Sequence, residues 1–236
     1  MVIRELVCTL FWRQPAVVEP ASGHRAPAEI YKSLDTNDLN SPKTQERDMS
    51  RDSRRKSAHP LAVGRSEGIA EIVLNRPEAR NALNADLVDR IENELELIAS
   101  DPGLGAVVIR GCDPGFCAGS DLKELATMTP REAAAHEGAT ARMVRKLSAL
   151  PIPTIVAVEG FAIGGGFLLA AACDIVVSAD DTRWDLPEVR LGWVPPWGLA
   201  GLIDRAGVSW ARRLAWADQA WDTKSGVRNE LVTGSV

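Results

Sequence analysis

The chain has 236 residues, 45% of them hydrophobic and 25% charged, enough for one sizeable domain with a real core. A net charge of −5 argues against nucleic-acid binding as the main role, and no apolar run approaches the roughly 20 residues of a membrane helix. The four cysteines form no CxxC pair and the three histidines stand far apart, so a zinc ribbon, a redox motif and a metal site are all unexpected.

Residues 1–60 differ from the rest. Pro, Ser, Asp and Arg dominate from Pro15 onward with no sustained apolar period, so a disordered tail is expected. The cluster Arg51-Asp52-Ser53-Arg54-Arg55-Lys56 reads as a solvated face, because acids interrupt its basic charge. Order is expected from Leu61, giving one domain over residues 61–236. Residues 61–63 and 69–74 flank Arg65-Ser66-Glu67-Gly68, a hairpin turn. Leu87, Ile91, Leu95 and Ile98 keep helical spacing, with Asn84 as the capping residue and Asp101-Pro102-Gly103 as the stop. Residues 106–109 read as a buried strand and 112–119 as a loop. A short helix begins at Asp121, and a longer one runs over residues 130–150 with Met143, Val144 and Leu147 on one face. Thr154–Val158 and residues 174–179 are further buried strands, and residues 182–186 form a short extended piece. Weak helices follow over 199–206, 209–217 and 224–231. Strands alternating with helices predict an α/β fold with largely parallel strands.

One stretch stands out. Gly160-Phe161-Ala162-Ile163-Gly164-Gly165-Gly166 separates the apolar β-branched run Thr154–Val158 from the buried helix that starts at Phe167. Three adjacent glycines are costly in chain entropy and make sense where something must approach the backbone closely. Free N–H groups at the start of the helix, with the positive dipole end behind them, suit a developing oxyanion or a phosphate. A dinucleotide site needs G-x-G-x-x-G in a first βα turn, and this triplet is contiguous and late.

Residues 61–236 resemble the crotonase superfamily, the enoyl-CoA hydratase/isomerase family. The resemblance rests on Ile72-Val73-Leu74-Asn75-Arg76-Pro77 with Asn81-Ala82-Leu83-Asn84, on Phe116-Cys117-Ala118-Gly119-Ser120-Asp121-Leu122, on residues 153–166, on Ala172-Cys173-Asp174, and on Leu186-Pro187-Glu188-Val189-Arg190-Leu191-Gly192. It implies a spiral of ββα units and an acyl-CoA thioester as substrate, usually processed by homotrimers or hexamers. It also implies an oxyanion hole made by the N–H groups of Ala118 and Gly165, with Gly119 and Gly164 giving the thioester room. No separate cofactor is implied, since coenzyme A is part of the substrate. Arg80, Ala82 and Leu83 would help hold the adenine end of CoA, with Arg76 and Arg80 near its phosphates. The expected compartment is the cytoplasm, an organelle matrix being compatible with the same residues.

Hydratases of that family use two glutamates. The first position here is Leu168, which cannot hydrogen-bond water, and the second is Glu188. A lone carboxylate is enough to shuttle a proton between two carbons, so double-bond isomerisation with Glu188 as general acid/base is expected, hydration being the alternative. Asp185 is a second candidate carboxylate near the acyl end. Trp184, Trp193 and Trp197 are candidate walls for the acyl group, Trp193 being the substrate-contacting choice. The resemblance further implies C-terminal helices beyond the position of Val236. A truncated, catalytically inactive relative, with Trp210, Trp216 and Trp221 uncovered, is therefore the expectation that competes with an enzyme.

Overall fold

The computed structural model describes residues 59–192, 194–216, 221–228 and 230–235. The tail expected over residues 1–60 falls outside these up to residue 58, as does Trp193.

The chain opens with the antiparallel hairpin β1 (Leu61–Ser66) and β2 (Ile69–Leu74), turned by Glu67 and Gly68 at positive φ. On β2 alternate residues Ala70, Ile72 and Leu74 are fully buried, the period of a strand with one face on the core. Helix α1 (Ala85–Ala99) follows. Asn84 caps it by accepting from the Leu87 N–H, and Leu87, Val88, Ile91, Leu95 and Ile98 are its buried stripe. Strand β3 (Ala106–Gly111) pairs parallel to β2, as a crossover through a helix requires. A loop leads to α2 (Leu122–Leu125) and α3 (Pro130–Ser148). Asp121 caps α2, and Thr129 with Glu132 forms a capping box on α3.

Strand β4 (Thr154–Val158) is buried along its whole length, which explains its unbroken apolar run. Then come β5 (Phe161–Ile163), α4 (Gly165–Ala171), β6 (Ile175–Ser178), β7 (Arg183–Asp185) and a 3-10 turn (Glu188–Leu191). Helix α5 (Leu199–Trp216) is broken at Gly207 (φ 75°, ψ 159°), whose backbone is not helical, so it consists of two helical segments where two weak helices were expected. Strand β8 (Trp221–Asp222), α6 (Thr223–Arg228) and β9 (Gly234–Ser235) close the described chain.

The large sheet has the order β1-β2-β3-β4-β6-β9, and a small one the order β5-β7-β8. A strand pair followed by a helix recurs: β1-β2-α1, β4-β5-α4, β6-β7-α5. In the later units the second strand leaves the large sheet for the small one. That step carries the chain out over the 112–121 loop, where Cys117 bridges to Ala162. The residues 161–163 expected inside a glycine loop are thus a strand, and α4 starts two residues earlier than its apolar run, at Gly165.

Candidate active site

The glycine stretch is explained by what presses on it. Gly164 has φ 55° and ψ −121°, a conformation that a side chain strains. A Cβ on Gly166 would meet the Cys117 carbonyl oxygen at 2.2 Å, and one on Gly119 would lie 3.0 Å from the Gly165 nitrogen. The 112–121 loop therefore rests directly on the start of α4, held by the Ile163 N–H donating to the Cys117 carbonyl at 3.0 Å. As the first residue of α4, Gly165 has no carbonyl one turn back to take its N–H. The Ala118 N–H is in a different condition. It donates to the Arg80 carbonyl at 3.1 Å, so a substrate oxygen would compete with that carbonyl for it.

Glu188 reaches the same point from β7. The Gly164 N–H donates to the Asp185 carbonyl at 2.8 Å, and Pro187 turns the chain so that Glu188 opens the 3-10 turn. Its side chain is buried, at 8% exposure, and Oε2 makes no hydrogen bond among the described residues. A Cβ on Gly164 would stand 3.1 Å from Oε1, which places the carboxylate against the glycine stretch. Burial pushes the Glu188 pKa up, a bond from its own backbone N–H opposes this, and the nearby charges of Asp185 and Glu137 raise it further.

These groups line a cavity of about 160 Å³. It brings together Ala118, Gly119, Gly164, Gly165, Leu168 and Glu188, with Ser120, Glu137 and Trp197 on its remaining sides. Leu168 is 1% exposed and meets Gly198, so the first carboxylate position of a hydratase is filled by packed apolar surface. Cys117 is no nucleophile here, since burial pushes its thiol up to about 12.

Other expected site residues lie elsewhere. Asp185 is 2% exposed and does not line the cavity; its Oδ2 pairs with Arg183 and Arg190 at 2.7 Å each. It is a clamp on the turn that carries Glu188: two guanidinium groups meet its Oδ2, while its buried Oδ1 has no hydrogen-bond partner among the described residues. Ala82 and Leu83 are buried and do not line this cavity. Leu83 instead exchanges backbone bonds with Gly119 and Asp121, bracing the 112–121 loop. Arg80 is exposed, with its guanidinium 5.9 Å from the Phe161 ring centroid, and it meets the site through its carbonyl. Trp184 is a core residue, edge-on to Phe167, with its indole N–H on Ser178. Of the tryptophans weighed as acyl walls, Trp197 lines the cavity.

Arg76, expected near phosphates, is tied to the Asp121 carboxylate at 2.9 Å and to the Ala82 carbonyl. Both members of the ion pair are mostly covered. Arg76→Met is expected to lower stability by about 2 kcal/mol, since it leaves a covered carboxylate without its partner. Chemical denaturation measures this; wild-type stability would show the pair to be dispensable.

Two further residues matter: Asn81, which the sequence offered as part of the family motif, and Glu137, which gave little signal. Asn81 is fully buried at φ 56°, and its amide donates to the carbonyls of Cys112 and Gly115 at 2.7 and 2.8 Å, tying the 80–83 segment to the 112–121 loop. Glu137, on α3, accepts from Ser120 Oγ at 2.9 Å and from Trp197 Nε1 at 2.6 Å. The one clue to it was an acid flanking the apolar stripe of α3, at helical spacing from Ala141 and Val144.

A family model described as enoyl-CoA hydratase/isomerase matches residues 64–222. The chain belongs to this family. It is similar to the probable enoyl-CoA hydratase echA8 of Mycobacterium bovis, 37% identical over 175 residues that span 73% of this chain and 67% of that protein. The 2,3-dehydroadipyl-CoA hydratase of Escherichia coli is 36% identical over 174 residues, covering 73% and 68% of the two chains. Among solved structures, Pseudomonas aeruginosa AtuE superposes with a TM-score of 0.73 at 32% identity, over 75% of this chain and 70% of that one. The α/β fold is that of the crotonases, and the ββα units described above are its repeat.

Proposed function

We infer that this family member moves a carbon–carbon double bond in an enoyl-CoA thioester, using Glu188 as the sole proton carrier. One observation carries the reading. Glu188 presents a buried carboxylate oxygen with no hydrogen bond among the described residues, while Leu168 fills the place of a second glutamate. Glu188 takes a proton from the α-carbon of a 3-enoyl thioester. The C–H electron pair becomes a double bond between the α-carbon and the carbonyl carbon, and the carbonyl π pair moves onto the thioester oxygen. When the γ-carbon is later protonated, the carbonyl re-forms and the double bond settles between the α- and β-carbons. The Gly165 N–H, joined by Ala118 when the Arg80 carbonyl yields, stabilises that dienolate by about 3 kcal/mol per donor. Glu188 then returns the proton to the γ-carbon. Nothing is consumed, and no group beyond the thioester itself is called for.

The test is product analysis with hex-3-enoyl-CoA and the full chain. Unchanged mass, with a conjugated thioester absorbance appearing, is the expected result. The acidic limb of kcat/KM reports the base. Glu188 must be ionised to accept the α-proton and its pKa is raised, so activity is expected to fall away at a pH above the ordinary carboxylate value of 4.5. A limb at or below that value would remove Glu188 as the base.

Hydration is the second reading. It is favoured by the names of the relatives and by Glu137, a second carboxylate on the cavity wall. Both Glu137 oxygens already accept hydrogen bonds, which makes it a poorer water activator than a free carboxylate. Conversion of hex-2-enoyl-CoA to a product heavier by one water would establish hydration over isomerisation.

A further inference from the structure

Beside the first space the described residues line a second, larger and more open one, of about 680 Å³, between α2 and α3. Its walls are apolar: Leu122, Leu125, Ala126, Ala133 and Ala141 among them. The two spaces share Leu122, Glu137 and Pro196, so Glu137 stands where one opens into the other. Among the described residues it is the one ionisable side chain that lines both spaces.

Glu137 is held there from two sides. The Ser120 hydroxyl comes from the oxyanion loop and occupies Oε1; the Trp197 indole N–H comes from the loop before α5 and occupies Oε2. Trp197 is anchored at its other edge too. A Cβ on Gly165 would meet its ring carbons at 2.9 and 3.1 Å, so the indole lies flush against the glycine that starts α4. Trp197 thus forms a wall between Gly165 and Glu137, and Glu137 fixes the wall's position. Covering a carboxylate's charge with apolar surface costs free energy.

We propose that Glu137 sets the acyl specificity of this site, closing the smaller cavity to long chains and to acyl groups that carry a second carboxylate. The proposal rests on the reading that the cavity receives the acyl part of an acyl-CoA. A cavity of about 150 Å³ accommodates benzene, so the space beside Gly165 holds an acyl group of about six carbons. A longer chain must pass Glu137, strip water from its carboxylate and displace Trp197 from it. A terminal carboxylate at that depth meets a fixed like charge.

The experiment is calorimetric titration of the full chain with hexanoyl-, dodecanoyl- and adipyl-CoA, which reads the pocket without depending on turnover. Hexanoyl-CoA is expected to bind at least about tenfold more tightly than either of the others. Glu137→Gln keeps the size and an acceptor for Trp197 while removing the charge. It is expected to raise adipyl-CoA affinity about tenfold relative to hexanoyl-CoA, a shift in preference that a merely structural role would not produce. Glu137→Leu should raise dodecanoyl-CoA affinity by about tenfold. Wild-type protein that binds all three alike, or a Glu137→Gln variant with the same preferences as wild type, overturns the proposal. Failure of all three to bind sinks the acyl-CoA reading with it. Binding in the expected order without conversion of hex-3-enoyl-CoA sinks the isomerase reading alone.

Discussion

Glu188→Gln is expected to lower kcat for hex-3-enoyl-CoA by about a thousandfold and to leave KM nearly unchanged. Glutamine has the shape of the carboxylate and fills the same space beside Gly164, but it has no basic lone pair with which to take the α-proton. The thioester still meets Gly165, so ground-state binding persists and the loss falls on the chemical step. The same variant should be more stable than wild type at neutral pH. The Glu188 pKa is raised in the folded protein, chiefly by burial, so its neutral form favours folding and its charged form opposes it. The contribution is present below the unfolded value and is lost as pH rises through the folded one. Glutamine has nothing to ionise, and its advantage in melting temperature should open above that window and vanish below it. Stability gained together with activity lost marks a group kept for chemistry. Wild-type kcat in this variant would exclude Glu188 from proton transfer.

What the sequence disclosed about this site, and what it withheld, follows from the range of the interactions. The strand, glycine and helix signals around residues 154–171 are local, and the fold bears them out because backbone demands are written residue by residue. Leu168 was legible for the same reason: a fixed distance from the glycines places it in the site, whatever packs on it. Where Asp185 faces was not legible, because it depends on Arg183 and Arg190, and a spacing of three residues across a turn does not show which way a carboxylate points. Arg76 finds its partner 45 positions away, at Asp121. Glu137 is the clearest case. Its donors come from residue 120 and residue 197, 17 and 60 positions distant, and only the packing of α3 against both loops brings them together. Charged groups on a helix are usually solvated, so nothing local set this one apart.

Gly164→Ala tests whether the glycine stretch serves chemistry as well as space. Gly164 and Gly207 both sit at positive φ, 55° and 75°, where alanine is strained by about 1–3 kcal/mol. A Cβ on Gly207 would meet nothing within 4 Å, and that residue lies at the kink of α5, outside the cavity lining. Gly207→Ala should therefore lower the melting temperature by about 5 °C and leave kcat alone. Gly164→Ala carries the same backbone penalty with two additions. Its Cβ arrives 3.1 Å from Glu188 Oε1, and any rotation that relieves the strain disturbs the N–H bond to the Asp185 carbonyl and re-aims the Gly165 N–H that follows. The base and an oxyanion donor move together, so kcat should fall by about a hundredfold at a cost in stability similar to that of the Gly207 variant. If the two alanine variants lose stability equally and both keep wild-type kcat, the peptide between Gly164 and Gly165 has no part in the reaction. The oxyanion would then have to be held elsewhere. If Gly164→Ala alone loses turnover, then the main-chain conformation that only glycine relaxes into is what joins the carboxylate to the amide.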